Sequence, residues 1–497
     1  MPPTTVGTAV VMYSLGVSAF VMLGAKLGQR FGSKIFFQVA VLLFLGAMVP
    51  HGDQPDRGRD GRAQGLAGFA GASLVPSLVA LIANHYRGTQ QAKAVGWLGS
   101  ARAIARVVAF VIVGYVAAIN WRLAFGLLIA HAVVLLLLSF KLKASAPKPD
   151  VQIDAGGVIL SAIAVILISL GFNNLRNWVV LLARRAAPFD LAGVSPAPLM
   201  IVLGAAFFMG FFLWSHKQAA AGKTPLLALE VVDSPKEWVA VLTLFLIVAT
   251  EGAINFTVPL YIQIVQGRTS AATSVTMMPF MLTVFFTAIL IVRLYNRYTP
   301  RQIARGAFGL VMAGTLWLAF VVQNDWSVPA VILGLFIVGV GQGALVTLLF
   351  NVLVTASPKE LAGDVGSLRG VTQNMAAAVG TAVIGALVVG VLSAGVLRHV
   401  AENPLISAEM TAEVDLDNIN FLSNDRLKER FQASRATPEQ IAEAVRINTE
   451  TRLQALRTGF LVMAAVALMA IVPCGWLPDY RPSEIPSGEP RGAGRKV

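Results

Sequence analysis

The sequence predicts an all-α polytopic membrane protein of about 13 spans, and three observations carry that prediction. Of 497 residues, 56% are hydrophobic and 13% charged, with a mean hydropathy of +0.70; a soluble domain carries about 25% charged residues. Apolar segments of the length that crosses a hydrocarbon core as a helix, about 20 residues, recur along the whole chain. Lys and Arg gather at every second joint between them, as they do in the cytoplasmic loops of membrane proteins. That retention accounts for the net charge of +13 and the pI near 10.1. No basic stretch is interleaved with stacking aromatics, so nucleic acid is excluded as a partner. Cys474 is the single cysteine and the five histidines are scattered, so neither a metal site nor a cofactor is expected.

The spans are expected near 5–26, 35–50, 63–85, 95–118, 122–140, 154–173, 197–215, 238–263, 271–293, 303–322, 328–355, 365–397 and 457–477. The start, MPPTTVGTAVVMYSLGV, lacks the basic region and cleavage pattern of a secretory leader. Lys26, Arg30 and Lys34 mark the first joint, Arg87 and Lys93 the third, Lys141, Lys143 and Lys148 the fifth. Lys217, Lys223 and Lys236 mark the seventh, Arg293, Arg297, Arg301 and Arg305 the ninth, Lys359 and Arg369 the eleventh, and Arg481, Arg491, Arg495 and Lys496 the tail. These joints and the C-terminus are expected in the cytoplasm, and the N-terminus outside. The joint around Arg176, Arg184 and Arg185 departs from the alternation. Asp154, before Ala-Gly-Gly, reads as a helix cap. The long polar segment 398–456 falls outside. Within it Thr437-Pro-Glu-Gln440 has the form of a capping box with Pro at the first helical position, so a helix is expected to start there and lead into the last span.

The run MVPHGDQPDRGRDGRAQGLAG, Met48 to Gly68, interrupts two apolar stretches. Leaving Asp60 and Arg62 in lipid would cost about 3 kcal/mol each, and Gly58 and Gly61 weaken a helix. One reading is a longer outer loop with the helix starting near Ala63. The other is a local frame error over His51 to Arg62, because GC-rich back-translation read one base later can give an apolar helix start. A metal site from Asp53, Asp56 and Asp60 is disfavoured.

Glu251 lies near the middle of VLTLFLIVATEGAINFTVPLYIQ. An ionisable group there costs about 3 kcal/mol unless it faces a cavity or a partner. It is the candidate proton-coupling residue; the alternative is a protonated Glu bonded to a neighbouring helix. Asn255 shares its face one turn on, and Tyr261 and Gln263 follow; all three are candidates to line a cavity. Gln373 and Asn374, in a helix of small residues, read as helix–helix hydrogen bonds or cavity groups, the former preferred. Arg102 and Arg106 are one turn apart in GSARAIARVVAFVIVG; Arg102 either faces the cavity as a partner for an anion or carboxylate or pairs near a helix end.

Two basic joints repeat one pattern. Leu27-Gly-Gln-Arg30-Phe31-Gly-Ser-Lys34 and Leu294-Tyr-Asn-Arg297-Tyr298-Thr-Pro-Arg301 both read Leu-x-x-Arg-aromatic-x-x-basic, as expected of a transporter built from paired halves. AKLGQRFGSK also resembles the loop signature of the major facilitator superfamily, Gly-x-Leu-x-Asp-Arg-x-Gly-Arg-Arg. Leu27, Arg30, Gly32 and Lys34 match; Ala25, Gln29 and Ser33 depart from it. AQGLAGFAGASLVPS, NWRLAF, VPLYIQIVQGRTSAATSVTMMPFML and GVGQGALVTLLFNVLV are similar, in order, to segments of that family's fourteen-helix drug:proton antiporter branch. The resemblance implies that the first helix is missing from this chain. The branch's Gly-Pro and Gly-Gly pairs are replaced by Ala109-Phe110 and Val113-Gly114, which puts drug antiport in question.

The resemblance implies the major facilitator fold: two pseudo-symmetric helical bundles, 1–145 and 237–480, with two extra central helices in 146–236 and a cytoplasmic tail at 481–497. It implies a secondary transporter of the plasma (inner) membrane, expected to act as a monomer in the lipid bilayer. It would export amphipathic or cationic small molecules by alternating access coupled to protons. Leu27, Arg30, Gly32, Lys34, Arg297 and Arg301 would form the cytoplasmic gate motif. The alternatives are a carrier for another solute such as an anionic metabolite, and a non-functional product of a damaged gene. No nucleophile–base pair or metal cluster supports an enzyme.

Overall fold

The computed structural model describes residues 3–48, 57–86, scattered positions between 90 and 116, and then 121–144, 146–178, 195–232, 234–324, 328–356, 361–403, 423–432 and 437–479. Helices dominate and no strand occurs among the described residues. They are α1 (Pro3–Phe31), α2 (Ser33–Met48), α3 (Arg57–His85), α4 (Trp121–Ser139), α5 (Ala155–Trp178), α6 (Pro196–Ala220), α7 (Pro235–Leu260), α8 (Ser270–Leu290), α9 (Pro300–Val321), α10 (Val328–Ala356), α11 (Ala362–Glu402), the short polar α12 (Asn424–Gln432) and α13 (Pro438–Ala470). The described positions between 90 and 116 are helical as well, so the expected count of about 13 spans stands.

The ends of these helices follow from local chemistry. Gly32 sits at φ 89° between α1 and α2, a left-handed conformation that a side chain would strain. Thr299 and Thr437 each cap a helix with Pro at its first position and Gln three residues on, closing a capping box. The helix expected to start at Thr437 runs without a break into the last span. Pro259 removes a donor near the end of α7, and the chain continues as a π turn over Tyr261–Val265. Helix α3 starts at Arg57, not near Ala63 as the loop reading required. The apolar body of α3 nucleates the helix, and each further residue adds a backbone hydrogen bond that offsets the Gly penalties at 58 and 61.

α1 to α4 pack on one another, and α7 to α11 with α13 form a second group. The two groups meet where α1 and α3 lie against α11, and Trp97 meets Phe285 of α8 edge-on at 6.3 Å. α5 and α6 pair with each other outside both groups; α5 touches α1 and α11, while Val202, Met209 and Leu213 of α6 face outward at about two-thirds exposure. Asp154 caps α5 as expected: its Oδ1 accepts from Gly157 N at 3.0 Å and also from Trp214 Nε1 at 2.9 Å, which ties α6 to the start of α5.

The first and fifth basic joints meet at one end. Lys148 N donates to Gln29 O at 3.1 Å, and Lys34 Nζ to Phe140 O at 3.0 Å. The opposite end carries α12 and the start of α13. Arg369 is a correction to the joint assignment: it lies two turns inside α11, 4% exposed, with its guanidinium 3.8 Å from the centroid of the Phe350 ring.

Candidate functional site

Two buried carboxylates organise the interior. Glu251, midway along α7, is 7% exposed. Gln342, midway along α10 and 1% exposed, donates from Nε2 to Glu251 Oε2 at 2.8 Å. Gln342 Oε1 is buried with no hydrogen-bond partner. Beside the pair, α7 and α11 cross closely. A Cβ at Gly252 would lie 2.6 Å from Ala377 O, and one at Gly380 would overlap Ala249 O. Small residues let these backbones approach, the usual device where lipid offers no hydrophobic drive.

The second carboxylate is Asp364, in the first turn of α11 and fully buried. Lys26 Nζ of α1 lies 2.8 Å from its Oδ2, with side-chain exposures of 5% and 0%. Ala228 N, in the segment that joins α6 to α7, donates to the same oxygen at 3.1 Å. Gln29 Nε2 donates to Oδ1 at 3.1 Å. This one side chain therefore holds together the first group of helices, the second group and the segment after α6. Burying two charges is costly unless geometry and hydrogen bonds compensate; here each oxygen accepts at least one bond.

Neither Lys26 nor Asp364 was a sequence candidate for this role. Lys26 counted as one more basic joint residue, and Asp364 had no local signature. The available signal was a lone acid in the first turn of an apolar helix within a joint otherwise read as basic. Gln342 sat unremarked in GVGQGALV, where an amide among small residues suggests only packing.

The predicted candidates are placed as follows. Asn255 is half-buried one turn beyond Glu251 on α7. Tyr261 is 1% exposed at the far end of that helix, where its hydroxyl donates to Gln323 O at 2.9 Å and accepts from Gln266 Nε2 at 3.0 Å. Gln263 is half-buried in the π turn. Gln373 Nε2 is buried without a partner, and Asn374 Nδ2 donates to Gly370 O of its own helix at 2.8 Å. Neither amide nitrogen makes the expected helix–helix bond. Leu27, Arg30, Gly32 and Lys34 lie at the α1–α2 turn, with Arg30 over the Phe31 ring at 5.8 Å. Arg297 repeats that contact with Tyr298, also at 5.8 Å. Arg301 instead reaches the last segment, with Leu477 O at 3.4 Å and Asp479 Oδ2 at 3.4 Å. Arg102 and Arg106 lie outside the described residues, as do residues 49–56 of the polar run.

The far end is closed by a third polar cluster. Arg452 of α13, 0% exposed, donates to Asn424 Oδ1 of α12 at 2.9 Å and to Ile264 O at 3.4 Å. Arg457 donates to Val322 O at 3.1 Å. Among the described residues no group of three His, Cys, Asp or Glu is placed to hold a metal.

Comparison with known proteins agrees with this architecture. The family model described as Major Facilitator Superfamily matches residues 1–381. "Multidrug resistance protein Stp" of Mycobacterium tuberculosis is 23% identical over 474 residues, covering 94% of this chain and 83% of that protein. "Probable actinorhodin transporter" of Streptomyces coelicolor is 22% identical over 387 residues, and the match covers 75% of this chain and 64% of that protein's length. "Multidrug transporter protein MdtP" of Bacillus subtilis is 23% identical over 365 residues, covering 71% of this chain and 63% of that protein. Among solved structures, the human organic anion transporter MFSD10 superposes with a TM-score of 0.57 at 12% identity, over 94% of this chain and 83% of that one. The proton:xylose symporter XylE superposes with a TM-score of 0.53, also at 12% identity, over 94% and 85%. These likenesses establish the fold.

Proposed function

This chain belongs to the major facilitator superfamily, and we propose that it is a proton-coupled secondary transporter that exports amphipathic or cationic small molecules by alternating access. The observation that carries the coupling reading is the buried carboxyl of Glu251 in the middle of a membrane helix, met by an amide from the next-but-two helix of the same group. A carboxyl at that depth persists only where it faces a partner or a cavity, and such groups are the usual proton relays of transporters. The names of the curated relatives, two of them multidrug proteins, support the choice of cargo.

In this reading the basic end faces the cytoplasm, as the charge alternation requires. The bundles 1–145 and 237–480 rock against each other, with 146–236 as an inserted hairpin and linker. Leu27, Arg30, Gly32, Lys34, Arg297 and Arg301 shape the cytoplasmic gate, and the Lys26–Asp364 pair fastens it. Asn255 and Gln263 line the path of cargo past Glu251, with Arg102, Tyr261 and Gln373 as further candidates. The chain works as a monomer in the inner membrane.

The test is Glu251→Gln in proteoliposomes. Gln is nearly isosteric and keeps hydrogen bonding, so folding and substrate exchange are expected to persist while uphill transport driven by a proton gradient is lost. Glu251→Asp is expected to retain part of it. Uphill transport by the Gln variant at the parent rate would contradict the coupling role.

A further inference from the structure

The pairing of Glu251 with Gln342 goes further than the location of a carboxyl. A carboxamide carries one acceptor and one two-proton donor; a neutral carboxylic acid carries one donor and one acceptor. The two groups can therefore close a ring of two hydrogen bonds. An ionised carboxylate is acceptor-only, and it can make one of those bonds but not the other. The structure contains the first bond, Gln342 Nε2 to Glu251 Oε2 at 2.8 Å. The atom that would make the second, Gln342 Oε1, is buried and has no partner. A buried acceptor left unmade is unfavourable, so the site holds an acceptor ready for one more proton.

We propose that Gln342 is a positioning residue that reads the protonation state of Glu251, closing a two-bond acid–amide ring between α7 and α10 when the carboxyl takes up a proton. This inference rests on the reading of Glu251 as the coupling group. The step balances simply: a hydronium ion from the aqueous phase gives its proton to a carboxylate oxygen, water leaves, and the new O–H donates to Gln342 Oε1. The charge on the carboxyl itself goes from minus one to zero, and the bond from Gln342 Nε2 is kept.

Few charged groups lie on the helices packed against α7. α10 carries none over 328–356, α7 none other than Glu251 over 238–260, and α11 none between Arg369 and Arg398. α13 carries none from 458 to 470. Arg369 lies over Phe350, Arg452 holds Asn424, and Arg457 holds Val322 O. Arg102 and Arg106 lie outside the described residues. Gln342 thus supplies the amide that meets Glu251 from α10, whatever the 90–120 stretch contributes.

The experiment is infrared difference spectroscopy between acid and alkaline pH on the full chain in lipid, with transport measured on the same samples. The parent is expected to show a protonated carboxyl C=O band that disappears in Glu251→Gln. In Gln342→Met, similar in size and without the amide, that band is expected at higher wavenumber because the bonds with Gln342 are gone. Proton-driven transport should fall about fivefold, the effect of one hydrogen bond, with KM for cargo little changed. Gln342→Asn keeps the amide one methylene short and should move the band the same way; it carries the test if the Met variant fails to fold. A band that keeps the parent position in the folded variants would overturn the ring while leaving Glu251 as the carrier. A parent spectrum without a Glu251-dependent band, or uphill transport by Glu251→Gln at the parent rate, would overturn the coupling reading itself.

Discussion

Asp364 and Glu251 are both buried carboxylates in membrane helices, and they differ in what they are tied to. Asp364 meets a lysine ammonium and a glutamine amide from α1 and a backbone N–H from the segment after α6. Glu251 meets the amide of Gln342 from within its own group of helices. In the proposed cycle, a contact that bridges the two groups must break when they rock apart. A contact inside one group can persist through the motion. The first arrangement suits a fastening and the second suits a site that changes its proton without losing its place.

The largest expected effect falls on function at Glu251. Glu251→Gln should reduce gradient-driven transport to background while lowering the apparent Tm little, because the amide replaces the carboxyl in the contact with Gln342. Next in size is Lys26→Met. It leaves Asp364 buried without its cation, which costs about 3–5 kcal/mol where one partner of a buried pair is removed. The expected readout is a clear drop in thermal stability, or increased accessibility of the basic end to membrane-impermeant reagents. Combining it with Asp364→Leu should recover much of that loss, since removing both charges of a buried pair is often near neutral.

A smaller effect is expected at Gln29. Gln29→Ala removes one donor to a charged acceptor that keeps its lysine, worth about 1–3 kcal/mol. Thermal unfolding should place it between the parent and Lys26→Met. The smallest effect belongs to the exposed Arg446, which pairs with Glu443 and Glu450 on α13. Arg446→Ala should leave thermal stability almost unchanged, and raising the salt concentration should erase any difference. The Lys26–Asp364 pair should be far less sensitive to salt.

The spans, the ends they share and the caps at Asp154 and Thr437 were legible in the sequence, because each depends on residues within one helix turn or one apolar segment. The polar run was legible only in part: its composition marks a break, but an apolar helix already nucleated at Ala63 extends back to Arg57 at small cost. The fastening was not legible. Lys26 and Asp364 are 338 residues apart, and nothing in either joint names the other as its partner. Tyr261, a candidate to line a cavity, lies ten residues beyond Glu251, about 15 Å along the axis, with its hydroxyl on the Gln323 carbonyl; that partner was not legible in the sequence. Gln342 shows why a polar side chain in a run of small residues has no sequence-level meaning until its partner is known.

The central claim is that the α1–α11 contact opens in every transport cycle. The Ala25 Cβ and a Cβ built at Gly363 lie 3.9 Å apart across it, close to the usual Cβ separation in a disulfide. The direct measurement is transport by Ala25→Cys/Gly363→Cys in a Cys474→Ala background, oxidised and then reduced. The matched control is Gly395→Cys/Thr451→Cys, which joins α11 to α13 inside one group, where the Cβ atoms lie 3.4 Å apart. Oxidation is expected to stop transport in the first protein, with recovery on reduction, and to leave the control running. Transport at the parent rate with the α1–α11 crosslink fully formed would contradict the account.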